Sequence, residues 1–321
     1  MKEKKFNKIA VLGMGRMSIG LAVDLVIKGL NVDVVDFKER SEHERFRYKT
    51  QLHDECLKII ELLEADTDLV SFPTYLTTPS SGVYDLIFEG LPEEIEVKNE
   101  ALSRLKGCVG KNTLVCSMTS TFTVEELTKG MDSSLNILVT HFMNPPYLIP
   151  FLEVVPHPRI DQGLVSELLS FLRSKGHMPI LCKSSPGFVI SRLQLGLMNE
   201  AVRLIEENVA SPEDIDRAIK YGWGYRFPVM GILEFIDVGG LEILYHAGRF
   251  VSTALNRPDL ACPQLIETRF KKGSTGIKAL KGIFNYESQE QVMATESERL
   301  KRQVQIKKLL DRIHHQEGDW E

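Results

Sequence analysis

The sequence predicts an α/β fold in which a doubly wound sheet precedes an all-helical domain. Over the first 185 residues, short apolar runs alternate with stretches of helical period, as is typical of parallel strands joined by crossover helices. Beyond residue 186 the period is helical throughout, and no convincing strand follows. A chain of 321 residues also exceeds one ordinary hydrophobic core. We therefore expect two domains, residues 1–185 and residues 186–321.

The start of the chain contains a strand, a glycine-rich turn, a helix and a second strand. The first strand is predicted at residues 8–12, the helix extends to Gly29, and the second strand ends in Asp36. Ser18 stands where the usual motif has its third glycine, with Gly20 two residues later, so we expect the helix to pack slightly less closely on the strand. This order of elements is the context in which a glycine motif indicates a Rossmann dinucleotide-binding unit.

The chemistry of this unit favours NAD as the cofactor. Gly13 allows a tight turn, and Gly15 lets the backbone approach a pyrophosphate. Arg16 and Met17 open the helix, whose first amides and positive dipole end would meet the phosphates. Asp36 would accept hydrogen bonds from the adenosine ribose and repel a 2′-phosphate. These residues therefore predict an NAD site rather than an NADP site.

A charged segment at residues 38–64 is predicted to be a helix with a solvated face. The alternative is that its cations bind the phosphates of a large substrate such as coenzyme A, or tolerate NADP. The cations concerned are Lys38, Arg40, Arg45, Arg47 and Lys49.

The next apolar runs predict further strands, and several end in polar residues. These strands are predicted at residues 84–90, 113–117, 136–140, 151–155 and 178–182. The hydroxyl-rich turn at residues 117–121 either caps the helix that follows or contacts a ligand. Because the carboxyl ends of parallel strands border the ligand crevice, polar residues at these ends are candidates for a site.

A histidine and a glutamate flank a proline-rich connection. His141 follows one apolar run, and Glu153 lies within the next. A carboxylate on one imidazole nitrogen would fix the tautomer and leave the other nitrogen free as a base. The alternative is that His141 caps a strand end and Glu153 lies on a solvated strand face. We expect the three prolines at residues 145–150 to hold the connection extended.

Composition limits the function classes. With 39 basic and 44 acidic residues the net charge is −5, which argues against nucleic acid as the main partner. No apolar run approaches membrane length, so we expect no membrane partner. The five cysteines are scattered without the spacing of metal ligands, which predicts no metal site and reduced thiols in a cytoplasmic protein.

The predicted helical domain carries one long apolar face at residues 188–205, suited to burial between domains or subunits. Ser211 and Pro212 predict the start of a further helix. Residues 296–313 form a charged amphipathic helix at the end of the chain.

From Lys8 to Tyr286 the chain resembles the 3-hydroxyacyl-CoA dehydrogenase family. The resemblance is carried by Gly13, Gly15, Gly20, Asp36, Glu93, Lys98, Thr119, Ser120, residues 141–145, Glu153, residues 186–188, Arg192 and residues 276–278. It implies a Rossmann domain, a helical domain that forms a homodimer, NAD as cofactor, and a role in fatty acid metabolism. The implied reaction is reversible oxidation of a secondary hydroxyl in a 3-hydroxyacyl-CoA or a related 3-hydroxy acid.

The resemblance also implies catalytic roles. His141 matches the catalytic base, Glu153 the carboxylate that orients it, and Ser120 the hydroxyl that bonds the reacting oxygen. Ser191 stands where the family usually has an asparagine that serves the reaction, and its shorter side chain cannot fully replace an amide. A second departure is the pair at residues 279 and 280, where the family usually has threonine or serine followed by glycine.

On the cofactor side, the resemblance implies that Glu93 and Lys98 line the NAD near its ribose. Ser120 and Asn144 are expected to contact the cofactor as well.

The connection after His141 is similar to a branch of the family that includes lambda-crystallin, carnitine dehydrogenase and a pyridine-carboxylate dehydrogenase. That branch implies a free hydroxy acid or alcohol such as gulonate, carnitine or a pyridine carboxylate, without coenzyme A. A third hypothesis is an NAD-binding, crystallin-like protein that does not catalyse. A lysine-based β-hydroxyacid dehydrogenase is disfavoured, because residues 188–206 contain no lysine.

Overall fold

The computed structural model describes residues 6–66, 70–105, 107–129 and 135–317, with side chains to residue 313. The chain divides into two compact units, Met1–Met198 and Asn199–Glu321. This division falls beyond residue 185, and a domain boundary at that residue stays a prediction.

The first unit is built on one sheet of eight strands in the order β3-β2-β1-β4-β5-β6-β7-β8. The first six strands in this order are parallel, β7 is antiparallel to β6, and β8 is parallel to β7. The doubly wound sheet predicted from the sequence is thereby confirmed. The strands are β1 (Ile9–Leu12), β2 (Val32–Val35), β3 (Thr74–Leu76), β4 (Leu86–Glu89), β5 (Leu114–Ser117), β6 (Asn136–Phe142), β7 (Phe151–Pro156) and β8 (Met178–Leu181).

Helices join these strands and make up the second unit. The helices that connect the strands or follow the last strand are α1 (Arg16–Ile27), α2 (Glu42–Leu62), α3 (Ile95–Ser103), α4 (Val124–Thr128), α5 (Gln162–Ser174) and α6 (Ile190–Glu206). They continue with α7 (Pro212–Arg217), α8 (Ile232–Gly239), α9 (Leu241–Ala254), α10 (Gln264–Lys271) and α11 (Gln289–Glu317). The described part of the second unit contains isolated β-bridges but no strand, so the all-helical prediction is confirmed.

The serine that replaces the third glycine of the turn, Ser18, is fully buried, and its hydroxyl oxygen lies 3.2 Å from the carbonyl oxygens of both Leu12 and Gly90. The side chain therefore ties α1 to the ends of β1 and β4, and the looser packing of helix on strand stays a prediction. At Gly20 an added Cβ would lie 3.2 Å from Pro146, so this glycine lets α1 pack against the connection after β6.

The connection between β6 and β7 turns back on itself. The amides of Leu148 and Ile149 donate to the carbonyl of Pro145 at 3.1 and 3.0 Å, and the peptide bond before Pro145 is cis. The prediction of an extended connection is therefore wrong. The chain must reverse here because β7 pairs antiparallel with β6. None of the helices in the described ranges is both long and apolar enough to cross a membrane.

Candidate active site

A cavity of about 670 Å³ lies at the carboxyl ends of β1, β2 and β4 in the first unit. This is the edge of a parallel sheet where ligands bind, and the volume lies in the range of small-molecule sites. Of the predicted cofactor residues, those that line the cavity are Gly13, Gly15, Arg16, Met17, Asp36 and Asn144. Those that do not line it are Glu93, Lys98 and Ser120.

The glycine turn fits a pyrophosphate. Gly13 has a φ of +99°, and a Cβ at this position would lie 3.0 Å from the carbonyl oxygen of Gly90. Gly15 precedes the first turn of α1 and provides no side-chain cap for its amides. These amides and the positive end of the helix dipole are therefore directed at the cavity, where a phosphate would accept their hydrogen bonds.

Asp36 is held in place for a ribose by three donors. Its carboxylate accepts from the Lys38 amide at 3.2 Å, from Arg40 Nε at 2.8 Å and from the Tyr75 hydroxyl at 3.2 Å. Arg40 in turn lies over the ring of Tyr48, 3.7 Å from its centroid. Burial and then the Asp36 carboxylate raise the pKa of Tyr75 to about 12, so this phenol stays a donor. The arrangement fits NAD.

Replacing Asp36 by serine should shift the cofactor preference from NADH towards NADPH. We expect the NADH dissociation constant to rise about tenfold and the NADPH constant to fall by a similar factor, which is about 1.4 kcal/mol each. The physical reason is that Lys38, Arg40 and Arg104 line the same cavity and would face a 2′-phosphate once the carboxylate is gone. Fluorescence titration of both nucleotides measures the change. A loss of affinity for both would mean that Asp36 acts only by holding Arg40.

His141 and Glu153 face each other across β6 and β7. The register pairs the two residues directly, and His141 Nδ1 lies 2.7 Å from Glu153 Oε2. The glutamate is fully buried, while the histidine is 8% exposed. The ring of Phe188 lies beside the imidazole, with 5.9 Å between centroids. The structure thus brings together the pair that the sequence singled out.

The other oxygen of Glu153 is held by the start of α6. Oε1 accepts from the amides of Val189 and Ile190 at 2.7 and 2.9 Å. With His141, three donors therefore hold the carboxylate, and the helix N-terminus favours its negative charge. Burial and then the charge of Glu153 raise the pKa of the neighbouring Cys182 thiol to about 11. Glu153 is therefore not on a solvated strand face.

The two predicted serines form no hydrogen bond with this pair among the described residues. Ser120 is exposed, and its hydroxyl lies 3.4 Å from the hydroxyl of Thr121. Ser191 is half-buried in the first turn of α6. Neither side chain forms a hydrogen bond with His141 among the described residues, so their catalytic roles stay predictions.

The sequence reasoning missed Glu89, a fully buried residue at the end of β4. Its carboxylate accepts from Lys98 Nζ at 2.8 and 3.1 Å and from the Ser117 hydroxyl at 2.5 Å. Lys98 is thus directed into the protein rather than into the cavity, and its predicted contact with the cofactor stays a prediction. The sequence signal that could have revealed this pair is an acid at the end of an apolar strand, followed nine residues later by a lysine.

Comparison with known proteins decides the family. A model described as the NAD binding domain of 3-hydroxyacyl-CoA dehydrogenase matches residues 8–185, and one described as its C-terminal domain matches residues 187–286. The chain belongs to the 3-hydroxyacyl-CoA dehydrogenase family. As a member of this family it is an NAD-dependent oxidoreductase, which agrees with the fit of the cavity to NAD.

Three proteins with different names are similar to this chain over three quarters of its length or more. The 5-formyl-3-hydroxy-2-methylpyridine 4-carboxylate 5-dehydrogenase of Mesorhizobium japonicum is 31% identical and covers 95% of this chain and 98% of its own. Lambda-crystallin of Oryctolagus cuniculus is 29% identical over 75% of this chain and 77% of its own. A crystal structure of a 3-hydroxyacyl-CoA dehydrogenase from Archaeoglobus fulgidus has a TM-score of 0.75, with 27% identity and coverage of 96% and 99%.

The departure from the family pattern at residues 279 and 280 is visible in the backbone. Leu280 has a φ of +53°, the left-handed conformation that glycine adopts without strain. The glycine that the resemblance leads one to expect at this position would adopt the same conformation without strain.

Proposed function

We propose that the protein reversibly oxidises a secondary hydroxyl β to a carboxyl or thioester group, with His141 as the base. The observation that carries this proposal is the hydrogen bond between His141 Nδ1 and the buried carboxylate of Glu153. Because a carboxylate only accepts, the neutral imidazole holds its proton on Nδ1 and has a lone pair on Nε2. Among the described residues nothing bonds Nε2, so this nitrogen is available to a substrate.

His141 Nε2 takes the proton of the substrate hydroxyl in the oxidation direction and returns it in reduction. NAD, when bound, supplies the acceptor for the hydride that leaves the carbinol carbon. Glu153 stabilises the imidazolium that forms, because its charge lies 2.7 Å from Nδ1 and is fixed by two amides. Ser120 donates to the reacting oxygen, and Ser191 occupies the position of the usual asparagine on the substrate side.

Two observations bear on the substrate. Arg45, Arg47 and Lys49 are exposed on α2, where they can meet the phosphates of coenzyme A, whereas Arg40 is engaged by Asp36. This favours a 3-hydroxyacyl-CoA. The second candidate, a free hydroxy acid, is favoured by the relative that acts on a pyridine carboxylate and matches nearly the full chain.

The test is NADH absorbance with purified protein, NAD and two sets of substrates, 3-hydroxybutyryl-CoA and a panel of free 3-hydroxy acids. Turnover of the thioester that weakens in an Arg45→Ala/Arg47→Ala variant supports the acyl-CoA substrate. Turnover of a free acid that is unchanged in this variant supports the second candidate. Bound NAD without any turnover would overturn the proposal and favour the non-catalytic hypothesis.

We further propose that the protein is a homodimer. Helix α6 has one wide apolar face, and the side chains of Leu193, Leu195, Met198 and Val202 on it are exposed in the single chain. An apolar helix face is normally buried, which a second copy would achieve. The mass of the protein in solution tests this. A cytoplasmic location and a role in fatty acid metabolism also stay proposals.

A further inference from the structure

We propose that Glu89 is a positioning residue that fixes the turn carrying Ser120 and the adjacent rim of the cofactor cavity. The inference rests on the proposed function in one respect, the role of Ser120 as the hydroxyl that bonds the reacting oxygen. Glu89 itself does not line the cavity. It acts through a chain of hydrogen bonds that connects it to both features.

The first link is the cavity rim. Glu89 is fully buried at the end of β4, and the residues that follow it, Gly90, Leu91 and Pro92, line the cavity. Its Oε1 accepts from the Leu91 amide at 2.7 Å. A buried charge that bonds the backbone two residues ahead holds that backbone in one conformation. The position of the rim therefore depends on this carboxylate.

The second link is Lys98, which is 1% exposed. Its ammonium group donates to both oxygens of Glu89, and it lies 3.3 Å from the carbonyl of Leu91 and 3.3 Å from Glu93 Oε2. A buried ammonium must be paired, so the Glu89 carboxylate holds Lys98 between the two acids.

The third link joins Glu93 to the turn. Its Oε1 accepts from the Thr119 hydroxyl and from the Thr121 amide, the latter at 3.2 Å. Although burial raises the pKa of Glu93, the Thr119 hydroxyl and the Lys98 charge together hold it below its usual value. Thr119 and Thr121 flank Ser120, so the residues on both sides of it are bonded to one carboxylate, Thr119 through its side chain and Thr121 through its backbone amide.

A fourth contact closes the network. The Ser117 hydroxyl donates to Glu89 Oε2 at 2.5 Å, at the end of the strand that leads into the same turn. Glu89 thereby bonds β5 before the turn and, through Lys98 and Glu93, the residues after it. A buried pair with a purely structural role would contribute to stability alone. The geometry here connects the pair to the backbone around Ser120.

The test compares Glu89→Gln with Asp33→Asn. Asp33 is a matched control because this carboxylate of the same sheet accepts two hydroxyl groups, from Ser80 and Tyr84 at 2.7 Å, and is outside the cavity lining. Hydrogen exchange of the amides at residues 118–123 in the protein without cofactor should become at least tenfold faster in Glu89→Gln and stay unchanged in Asp33→Asn. We expect the NADH dissociation constant to rise and kcat to fall on the order of tenfold to a hundredfold. Unchanged exchange and kinetics in Glu89→Gln would overturn the proposal.

A second variant separates positioning from stability. Glu89→Gln/Lys98→Met removes both buried charges, so the melting temperature should recover relative to Glu89→Gln alone. The hydrogen exchange at residues 118–123 should stay fast, because Glu93 has lost its lysine. A return of this exchange to the parent rate would show that Glu89 has a structural role only. If Ser120→Ala leaves kcat unchanged, the proposed role of Ser120 fails, while hydrogen exchange still tests the network.

Discussion

Replacing His141 by glutamine should lower kcat by about a hundredfold to ten-thousandfold and leave the NADH dissociation constant unchanged. Glutamine can still donate to Glu153, but it offers no basic nitrogen to a substrate hydroxyl. The residue does not line the cavity that fits the cofactor, so nucleotide affinity should not depend on it. Steady-state kinetics and fluorescence titration of NADH measure the two quantities separately.

The matched control for this prediction is His157→Gln. His157 follows the same strand β7, and its Nδ1 accepts from the Arg159 amide at 3.1 Å, away from Glu153. We expect its kcat to stay within twofold of the parent. Parent-like turnover in the His141 variant would show that His141 is not the base, whatever the control shows.

The sequence predicted the parts of the site that depend on strand order and side-chain alternation. His141 lies near the end of β6 because the apolar run before it is a buried strand. Its pairing with Glu153 follows from two antiparallel strands whose facing side chains lie on one side of the sheet. Asp36 was found for a similar reason, since it directly follows β2.

What the sequence could not predict depends on the path of the loops after each strand and on elements too short to show a pattern. Glu89 and Lys98 meet because α3 packs back against the end of β4, and no periodicity reports that approach. Arg40 bonds Asp36 from the loop before α2, although its setting in a charged segment suggested a solvated face. Strand β3 has three residues, too few for a pattern of alternation to be recognised.

Replacing Glu153 by glutamine should lower kcat by a factor similar to the loss of His141, on the order of a hundredfold to ten-thousandfold. The amides of Val189 and Ile190 require an acceptor, so the carboxamide oxygen should face them. Its NH₂ group then faces His141 Nδ1 and donates to it. The imidazole proton must consequently move to Nε2, and the nitrogen that faces the substrate is no longer a base.

A thiol beside Glu153 provides a readout that does not require turnover. The carboxylate charge, after burial, keeps the pKa of Cys182 at about 11. A neutral glutamine removes that repulsion, so the thiol pKa should fall and alkylation at a fixed pH should become faster. Cys56 is the internal control, since burial and then Glu55 raise its pKa to about 12. Faster alkylation of Cys182 with parent-like kcat would show that the charge was lost and that the mechanism does not need it.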